Sequence, residues 1–282
     1  MMLSINTNSG AILAANAAKN AAVMMNEAML RLSTGKRLNT AADDPAAMQV
    51  AVRMGAEING LERALKNAGD SQAVVDTAEG AMSEVHTLLL RMRELAVSGS
   101  SETHSAADRT ALNTEVTALE TEITRIGSST TWGGINLLGG TYSTSNPIVF
   151  QLGPRAGDTI SVTLGHIVAS ATASAQGNLG LTGNVTTITN ASNYISTIDA
   201  AISIISTRRG KMGAISNRLD SSISNLQNMK ANLETAKGQV EDADFAAETA
   251  KLARAQILMQ AATAMLAQAN ASKNNTLKLI TG

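Results

Sequence analysis

The chain has 282 residues, a formal net charge of −1, no cysteine, and only one Trp, two Tyr and two Phe. The balanced charge gives no electrostatic attraction to nucleic acid or to an anionic membrane, and the lack of cysteine excludes disulfides and thiolate metal sites. A core with so few aromatic rings is typical of helices packed through Leu, Ile, Met and Ala. We therefore expect a mainly α-helical protein.

The first predicted element is a helix near the N-terminus. Apolar residues recur at alternating spacings of four and three after Ala11, which is a heptad seam that pairs with another helix. The seam consists of Ala15, Ala18, Ala22, Met25, Met29 and Leu32. Polar residues interrupt the apolar ones between Ser4 and Ser9. The start of the chain therefore does not read as a cleaved signal peptide.

Long helices follow. Gly35 is predicted to end the first helix, and Asp44 before Pro45 predicts the N-cap of a second helix that continues to about residue 98. Ser105 and Asp108 then form an S-x-x-D capping signal for a third helix.

The middle of the chain, from residue 127 to about 190, is rich in Gly, Ser, Thr and Asn. Apolar and polar residues alternate over 148–152 and 160–164 around a Gly-Pro segment, which predicts a β-hairpin. Residues 165–190 are predicted to be a loop with little core of its own.

Helical periodicity returns at Ile195 and extends to the end of the chain. The last heptad seam consists of Leu252, Ala255, Met259, Ala262, Leu266 and Ala269. Residues 255–272 carry no charge, but Gln256, Gln260 and Gln268 would each need a hydrogen-bonding partner in hydrocarbon, so we predict no membrane insertion. The two end helices have similar seams, and a chain that runs out and back would pair them.

No motif in the sequence indicates catalysis. His86, His104 and His166 are far apart without ligand-like spacing, and no phosphate loop, zinc motif or nucleophile elbow occurs. The acidic groups at 43–44 and 241–244 are better explained as helix-start charges than as a metal or acid–base site. We therefore predict no enzyme activity, no cofactor and no metal.

Several segments together resemble bacterial flagellins. RLSTGKRLNTAADDPAA at 31–47 is similar to that family's R-L-S-[ST]-G-x-[RK]-[IL]-N-[ST]-A-x-D-D segment, and RMRELAV at 91–97 matches the end of a helix in the family. TWGGINLL at 131–138 is similar to its F-N-G-x-x-L-L turn, although Trp132 and Gly133 replace Phe-Asn. EDADFAAET at 241–249 and RAQILMQAATAMLAQAN at 254–270 match its C-terminal signature.

The resemblance implies a long antiparallel helical bundle or coiled coil with a small β-hairpin and paired terminal helices. It divides the chain into a terminal coiled-coil domain (1–42 with 241–282), a rod-like helical domain with the hairpin (43–164 with 191–240), and a loop (165–190) in place of outer variable domains. The implied function is that of an exported subunit that polymerises with copies of itself into the extracellular flagellar filament.

The implied partners are a cytoplasmic export chaperone, the flagellar type III export apparatus, the filament cap and hook-associated proteins. Arg91, Leu95 and Glu115 stand at positions that resemble the contact of flagellins with a host Toll-like receptor. Helix packing and solvation explain these three residues equally well, so both interpretations stay open.

Two other functions fit parts of the pattern. A hook–filament junction protein has similar termini, although its C-terminal match is usually weaker than the one at 254–270. An intracellular coiled-coil adaptor would also have long heptad seams. Formation of a filament separates the prediction from the adaptor.

Overall fold

The computed structural model describes residues 7–142, 146–169 and 178–281. Most of them lie in helices, because apolar residues repeat at helical spacing over long stretches that lack proline. The helices are α1 (Ser9–Thr34), α2 (Pro45–Gly99), α3 (Ala106–Ser129), α4 (Ile188–Glu241) and α5 (Phe245–Thr281). The strands are β1 (Thr131–Trp132), β2 (Ile135–Asn136), β3 (Ile148–Gln151) and β4 (Thr159–Val162).

Local capping sets the helix ends, largely as the sequence predicts. Gly35 adopts the left-handed conformation (φ 69°) after α1, which glycine enters without steric cost. Asp44 accepts hydrogen bonds from two backbone N–H groups in the first turn of α2. Ser105 and Asp108 form a reciprocal capping box at the start of α3. Asp244 caps α5 in the same way as Asp44 caps α2.

The chain divides into two compact units, the first of which comprises Met1–Ile58 and Asn232–Gly282. Its main feature is the packing of α1 against α5. Next to that pair, the backbone N–H of Arg37 donates to the carbonyl of Glu241 (2.7 Å), and the N–H of Ala243 donates to the carbonyl of Gly35 (3.0 Å). These bonds join the segment after α1 to the segment before α5.

The second unit is Asn59–Ala231. Its core is aliphatic and draws on α2, α3, α4, the strands and the segments around them. Three ion pairs connect α2 with α4: Glu62–Lys230, Glu79–Arg209 and Arg93–Asp199. From Glu62 to Arg93 along α2, the partner on α4 moves back from Lys230 to Asp199. The two helices are therefore antiparallel.

Two short strand pairs complete the second unit. β3 pairs with β4 in antiparallel register, with Phe150 opposite Ile160, which confirms the predicted hairpin. β1 and β2 form a smaller antiparallel pair. Gly133 and Gly134, at the turn between them, both have positive φ, and two such residues are what a tight hairpin turn of this kind requires.

The described part of 165–190 packs against the rest of the second unit. It lacks helix and strand up to Thr187, as expected for a loop with little core of its own. Ile167, Leu179 and Val185 are buried in the core of the second unit. Gly127 makes this packing possible, because a Cβ at that position would lie 1.9 Å from the carbonyl oxygen of Ile167. Residues 170–177 lie outside the described residues.

Candidate assembly interface

The pairing of α1 with α5 is fixed by contacts at both ends of the pair. Near the start of α1, a Cβ at Gly10 would lie 3.6 Å from the Cβ of Ala269. The side-chain amide of Asn8 donates to the carbonyl of Ala269 (3.2 Å), while its oxygen caps α1. Near the end of α1, the guanidinium of Arg31 lies 3.4 Å from the carboxylate of Glu248. Residue 10 thus lies opposite 269 and residue 31 opposite 248, so the two helices are antiparallel.

On α5, the residues of the predicted seam all turn inward. Ala255 and Ala262 are buried, and the other four are half-buried, namely Leu252, Met259, Leu266 and Ala269. The spacing of three and four residues puts them on one side of the helix. Large and small side chains alternate along this seam.

On α1, two of the six residues of the predicted seam do not face α5. Ala14, Ala21 and Ala28 are buried, whereas Ala15 and Met29 are exposed. The remaining predicted members, Ala18, Ala22, Met25 and Leu32, are half-buried. Two overlapping seams exist here because adjacent positions are both apolar, and only packing against α5 selects one of them. A role of Ala15 and Met29 in assembly stays a prediction.

A second apolar face of α1 is left uncovered. Ile12, Val23 and Leu30 are exposed, with 57%, 57% and 47% of their surface accessible. Their spacings of eleven and seven residues place them on the same side of a helix that turns 3.6 residues at a time, opposite the buried alanines. We call Ile12, Val23 and Leu30 the outer face of α1. Leu13 and Met24 are also exposed between the two faces.

α5 has exposed apolar side chains as well. Leu258 and Met265 are seven residues apart and therefore on one side of the helix, and Ile257 lies on another. A helix that is apolar on more than one side is expected to be buried on more than one side. Among the described residues, the pairing of α1 with α5 covers one side of each helix.

A charged cluster closes the pair at the end of α1. Arg31 contacts three carboxylates: Glu27 at 2.6 Å, Glu248 at 3.4 Å and Asp43 at 3.9 Å. Glu248 is buried, with 5% of its surface accessible. Lys251 contacts the same carboxylate at 2.7 Å. The hydrogen bond from Lys251, together with the positive charges of Lys251 and Arg31, holds the pKa of Glu248 below its usual range.

The sequence pattern offered one signal for this cluster that the prediction did not use. Glu248 lies four residues before Leu252, at the next position of the α5 seam, so its burial follows from the same heptad that positions the apolar residues. The carboxylate of Asp43 accepts hydrogen bonds from the backbone N–H groups of Asn39 (3.0 Å) and Thr40 (2.8 Å), which hold it near Arg31. These bonds lower the pKa of Asp43.

The three residues of the predicted receptor contact occupy different environments. Arg91 on α2 donates to Glu115 on α3 through Nε (3.0 Å) and Nη2 (2.8 Å), and both side chains are exposed. Leu95 is buried in the core of the second unit. The structure thus brings Arg91 and Glu115 together at the surface and places Leu95 beneath it.

The described residues present no constellation for metal chemistry. They contain no group of three or more His, Asp or Glu side chains that could hold a metal ion. His104 contacts Ser98 (3.1 Å) and His166 contacts Asn178 (2.6 Å), each in a local pair. Within the described residues, the helices are not long and apolar enough to cross a bilayer.

Comparison with known proteins identifies the family. Residues 5–143 match the bacterial flagellin N-terminal helical region, and residues 195–280 match the bacterial flagellin C-terminal helical region. The chain belongs to the bacterial flagellin family. The family is a structural one, so the chain is a subunit of the flagellar filament, as the sequence motifs predict.

Individual relatives agree with this assignment over the whole chain. A flagellin of Halalkalibacterium halodurans is 39% identical over 270 residues, which cover 95% of this chain and 97% of the relative. Flagellin A of Vibrio cholerae is 30% identical and covers 99% of this chain and 100% of its own length.

A solved structure supports the fold class. The structure of a putative flagellar hook-associated protein from Vibrio parahaemolyticus superposes with a TM-score of 0.59, covering 71% of this chain and 100% of that one. Its sequence identity of 16% makes this a likeness of fold alone. The hook–filament junction alternative is therefore not favoured over the filament subunit.

Proposed function

We propose that the chain is exported from the cell and assembles into the filament through its paired terminal helices. The observation that carries this proposal is the apolar surface that remains on α1 and α5 after they have packed against each other. Ile12 and Val23 on α1 and Ile257 on α5 each have more than half of their surface accessible. Apolar surface of this extent along two helices is typical of a site where other protein surface binds.

Burial of this surface between subunits supplies the driving force. Each Å² of apolar surface removed from water stabilises the assembly by roughly 25 cal/mol, less the cost of ordering the subunits. Contacts between unlike surfaces of identical subunits generate an open helical polymer when the rotation does not close a ring. Copies of the same chain can thus extend a filament without limit.

The same surface bears on the other proposed partners. Until assembly, the exposed side chains of α5 need cover, which supports a proposed cytoplasmic chaperone that holds the C-terminal segment before passage through the type III export apparatus. The filament cap and hook-associated proteins would meet the same terminal helices at the two ends of the polymer.

The proposed domains of the chain are 1–42 with 241–282, 43–164 with 191–240, and the loop 165–190.

Recognition by a host Toll-like receptor is proposed for the exposed pair of Arg91 and Glu115. Both side chains are accessible and are joined by an ion pair (2.8 Å). Leu95 would support them from the core rather than touch a receptor, because it is buried.

Truncation of the terminal helices tests the proposed function. Deletion of residues 1–32 or of 252–282 is expected to leave a soluble, helical protein, because the core of the second unit lies entirely outside the deleted segments. Neither truncated protein should polymerise, as followed by sedimentation and negative-stain microscopy, while the full chain forms filaments. Normal filaments from either truncated protein would contradict the proposal.

A further inference from the structure

The apolar seam between α1 and α5 does not by itself define how the two helices are aligned along their length. On α1 the buried residues Ala14, Ala21 and Ala28 repeat every seven residues. On α5 the buried residues Ala255 and Ala262 are also seven apart. A shift of one heptad, which moves a helix by about 10 Å, would therefore set alanine against the same kind of surface again.

One buried charge breaks this repeat. Glu248 is the buried charged side chain of α1 and α5, among the residues whose burial the structure describes. A buried carboxylate is strongly destabilising unless a partner compensates its charge. The seam position of Glu248 therefore needs a positively charged partner, which the alanine positions do not.

Arg31 meets this requirement from across the pair. Its Nη1 lies 3.4 Å from the Glu248 carboxylate, and Lys251, the other cation at that carboxylate, belongs to α5 itself. Arg31 is in turn held by Glu27 of α1 (2.6 Å) and approached by Asp43 of the following loop (3.9 Å). About four-fifths of its side chain is covered (18% accessible).

A shifted register would leave Glu248 without this partner. Seven residues before Arg31 stands Met24, and the helix ends at Thr34, three residues after Arg31. A shift in one direction would place the carboxylate at the level of Met24, and a shift in the other would place it beyond the end of α1. In both positions the ion pair of Arg31 with Glu248 would be lost, whereas the alanine contacts would form again.

We propose that Arg31 is the residue that specifies the register of α1 against α5, by compensating the buried charge of Glu248. The inference rests on the proposed function, because it explains how every subunit presents the same pair of helices to its neighbours. It goes further in assigning the alignment to one ion pair. The backbone bonds between Gly35–Arg37 and Glu241–Ala243 are the competing explanation, since they also tie the two segments together.

A disulfide can report the register, since the chain contains no cysteine of its own. The Cβ positions of residues 10 and 269 are 3.6 Å apart, within the range of about 3.5–4.5 Å that a disulfide needs. The parent variant therefore carries Gly10→Cys and Ala269→Cys. A second reporter, Gly10→Cys with Ala262→Cys, is one heptad away and detects a shifted helix. Each is oxidised both as soluble protein and as filament, and the intramolecular disulfide is quantified by its altered mobility in non-reducing electrophoresis.

Arg31→Gln in the parent variant tests the role of the ion pair. The yield of the 10–269 disulfide should fall about fivefold or more, and the 10–262 reporter should gain relative to it. Arg31→Lys keeps the charge and should retain most of the 10–269 yield, which separates loss of register from loss of folding. Adding Glu248→Gln to Arg31→Gln should raise the yield again, because the buried carboxylate that has lost its partner on α1 is then gone.

The matched control is Lys36→Gln, which removes the ion pair of Lys36 with Glu241 (2.7 Å) beside the backbone bonds. It should leave the 10–269 yield unchanged. An undiminished yield in Arg31→Gln would overturn the inference and leave the register to the backbone bonds and to the hydrogen bond from Asn8 to Ala269. If the unmodified chain forms no filament while the parent variant forms the disulfide, the proposed function fails and the register test still stands in the soluble protein. If the parent forms no 10–269 disulfide in either state, the inference itself fails.

Discussion

Tyr194, buried in the core near the start of α4, donates its hydroxyl hydrogen to a carboxylate oxygen of Glu120 on α3. Burial raises the pKa of Glu120 despite this hydrogen bond. Burial and the bond to the carboxylate raise the pKa of Tyr194 as well, so the phenol stays protonated as the donor. The pair joins α3 to α4 inside the second unit.

Replacing Tyr194 by Phe should destabilise the protein by about 1–3 kcal/mol, because the half-buried carboxylate of Glu120 loses its donor. The free energy of unfolding, measured by urea denaturation followed by circular dichroism, gives the effect. A change within experimental error would show that water replaces the phenol at no cost.

The raised pKa of Glu120 predicts a pH dependence of the free energy of unfolding. A carboxyl group whose pKa is higher in the folded state binds its proton more tightly there, so its contribution is present at low pH and is lost as pH rises through its folded pKa. Glu120→Gln keeps a hydrogen-bond acceptor and cannot ionise. Compared with the unmodified chain, this variant should gain stability as pH rises from 4 to 7, and a constant difference across that range would contradict the assignment.

Gly127 should not tolerate a larger residue. Because a Cβ there would overlap the Ile167 carbonyl, Gly127→Ala must push α3 away from the segment that contains Ile167. We expect a loss of about 3 kcal/mol in the free energy of unfolding. Gly69→Ala is the matched control, since nothing lies within 4 Å of a Cβ at that helical position. It should stabilise the protein by about 0.5–1 kcal/mol, and equal effects of the two changes would contradict the close packing of Gly127 against Ile167.

The outer face of α1 should be needed for assembly and dispensable for folding. Replacing Ile12, Val23 and Leu30 together by Gln removes exposed apolar surface, so the soluble subunit should keep its helical content and lose polymerisation. Ile12→Val, Val23→Ile and Leu30→Met together serve as the control, because they retain apolar character at the same positions, and this variant should form filaments. Sedimentation of polymer after seeding measures both. Wild-type polymerisation of the Gln variant would exclude this face from the interface.

Acid should weaken the pairing of α1 with α5. The pKa of Glu248 is lowered in the folded state by Lys251 and Arg31. The stabilisation from this carboxylate is therefore present above its ordinary pKa and is lost as pH falls through its folded value. Between pH 5 and pH 3 the 10–269 disulfide, formed with an oxidant that works in acid, should decrease in yield. In a Glu248→Gln background the decrease should be smaller, and an equal decrease would assign the effect to other carboxylates.

Much of the fold followed from the sequence, because its signals are local. Capping residues such as Asp44 and Ser105 satisfy backbone groups within three residues of themselves, and the alternation around Phe150 and Ile160 fits a hairpin whatever surrounds it. The terminal motifs identified the family for a related reason, since they span continuous stretches. The α5 seam was also determined by the sequence, because the neighbouring stripe through Leu258 and Met265 continues into Arg254 and Gln268, which are charged or polar.

Tertiary structure decided the features in which two local solutions were equally good. On α1, Ala14 and Ala15 are both apolar, so periodicity fitted two seams and only contact with α5 selected Ala14. Ile167 and Val185 lie in a segment without periodicity, and only the approach of the chain to Gly127 and the core buried them. The contact of Arg31 with Glu248 joins residues more than 200 positions apart. Such a pair forms when packing brings the two helices together. The attraction between the charges depends on their separation and burial, and neither quantity can be read from the sequence.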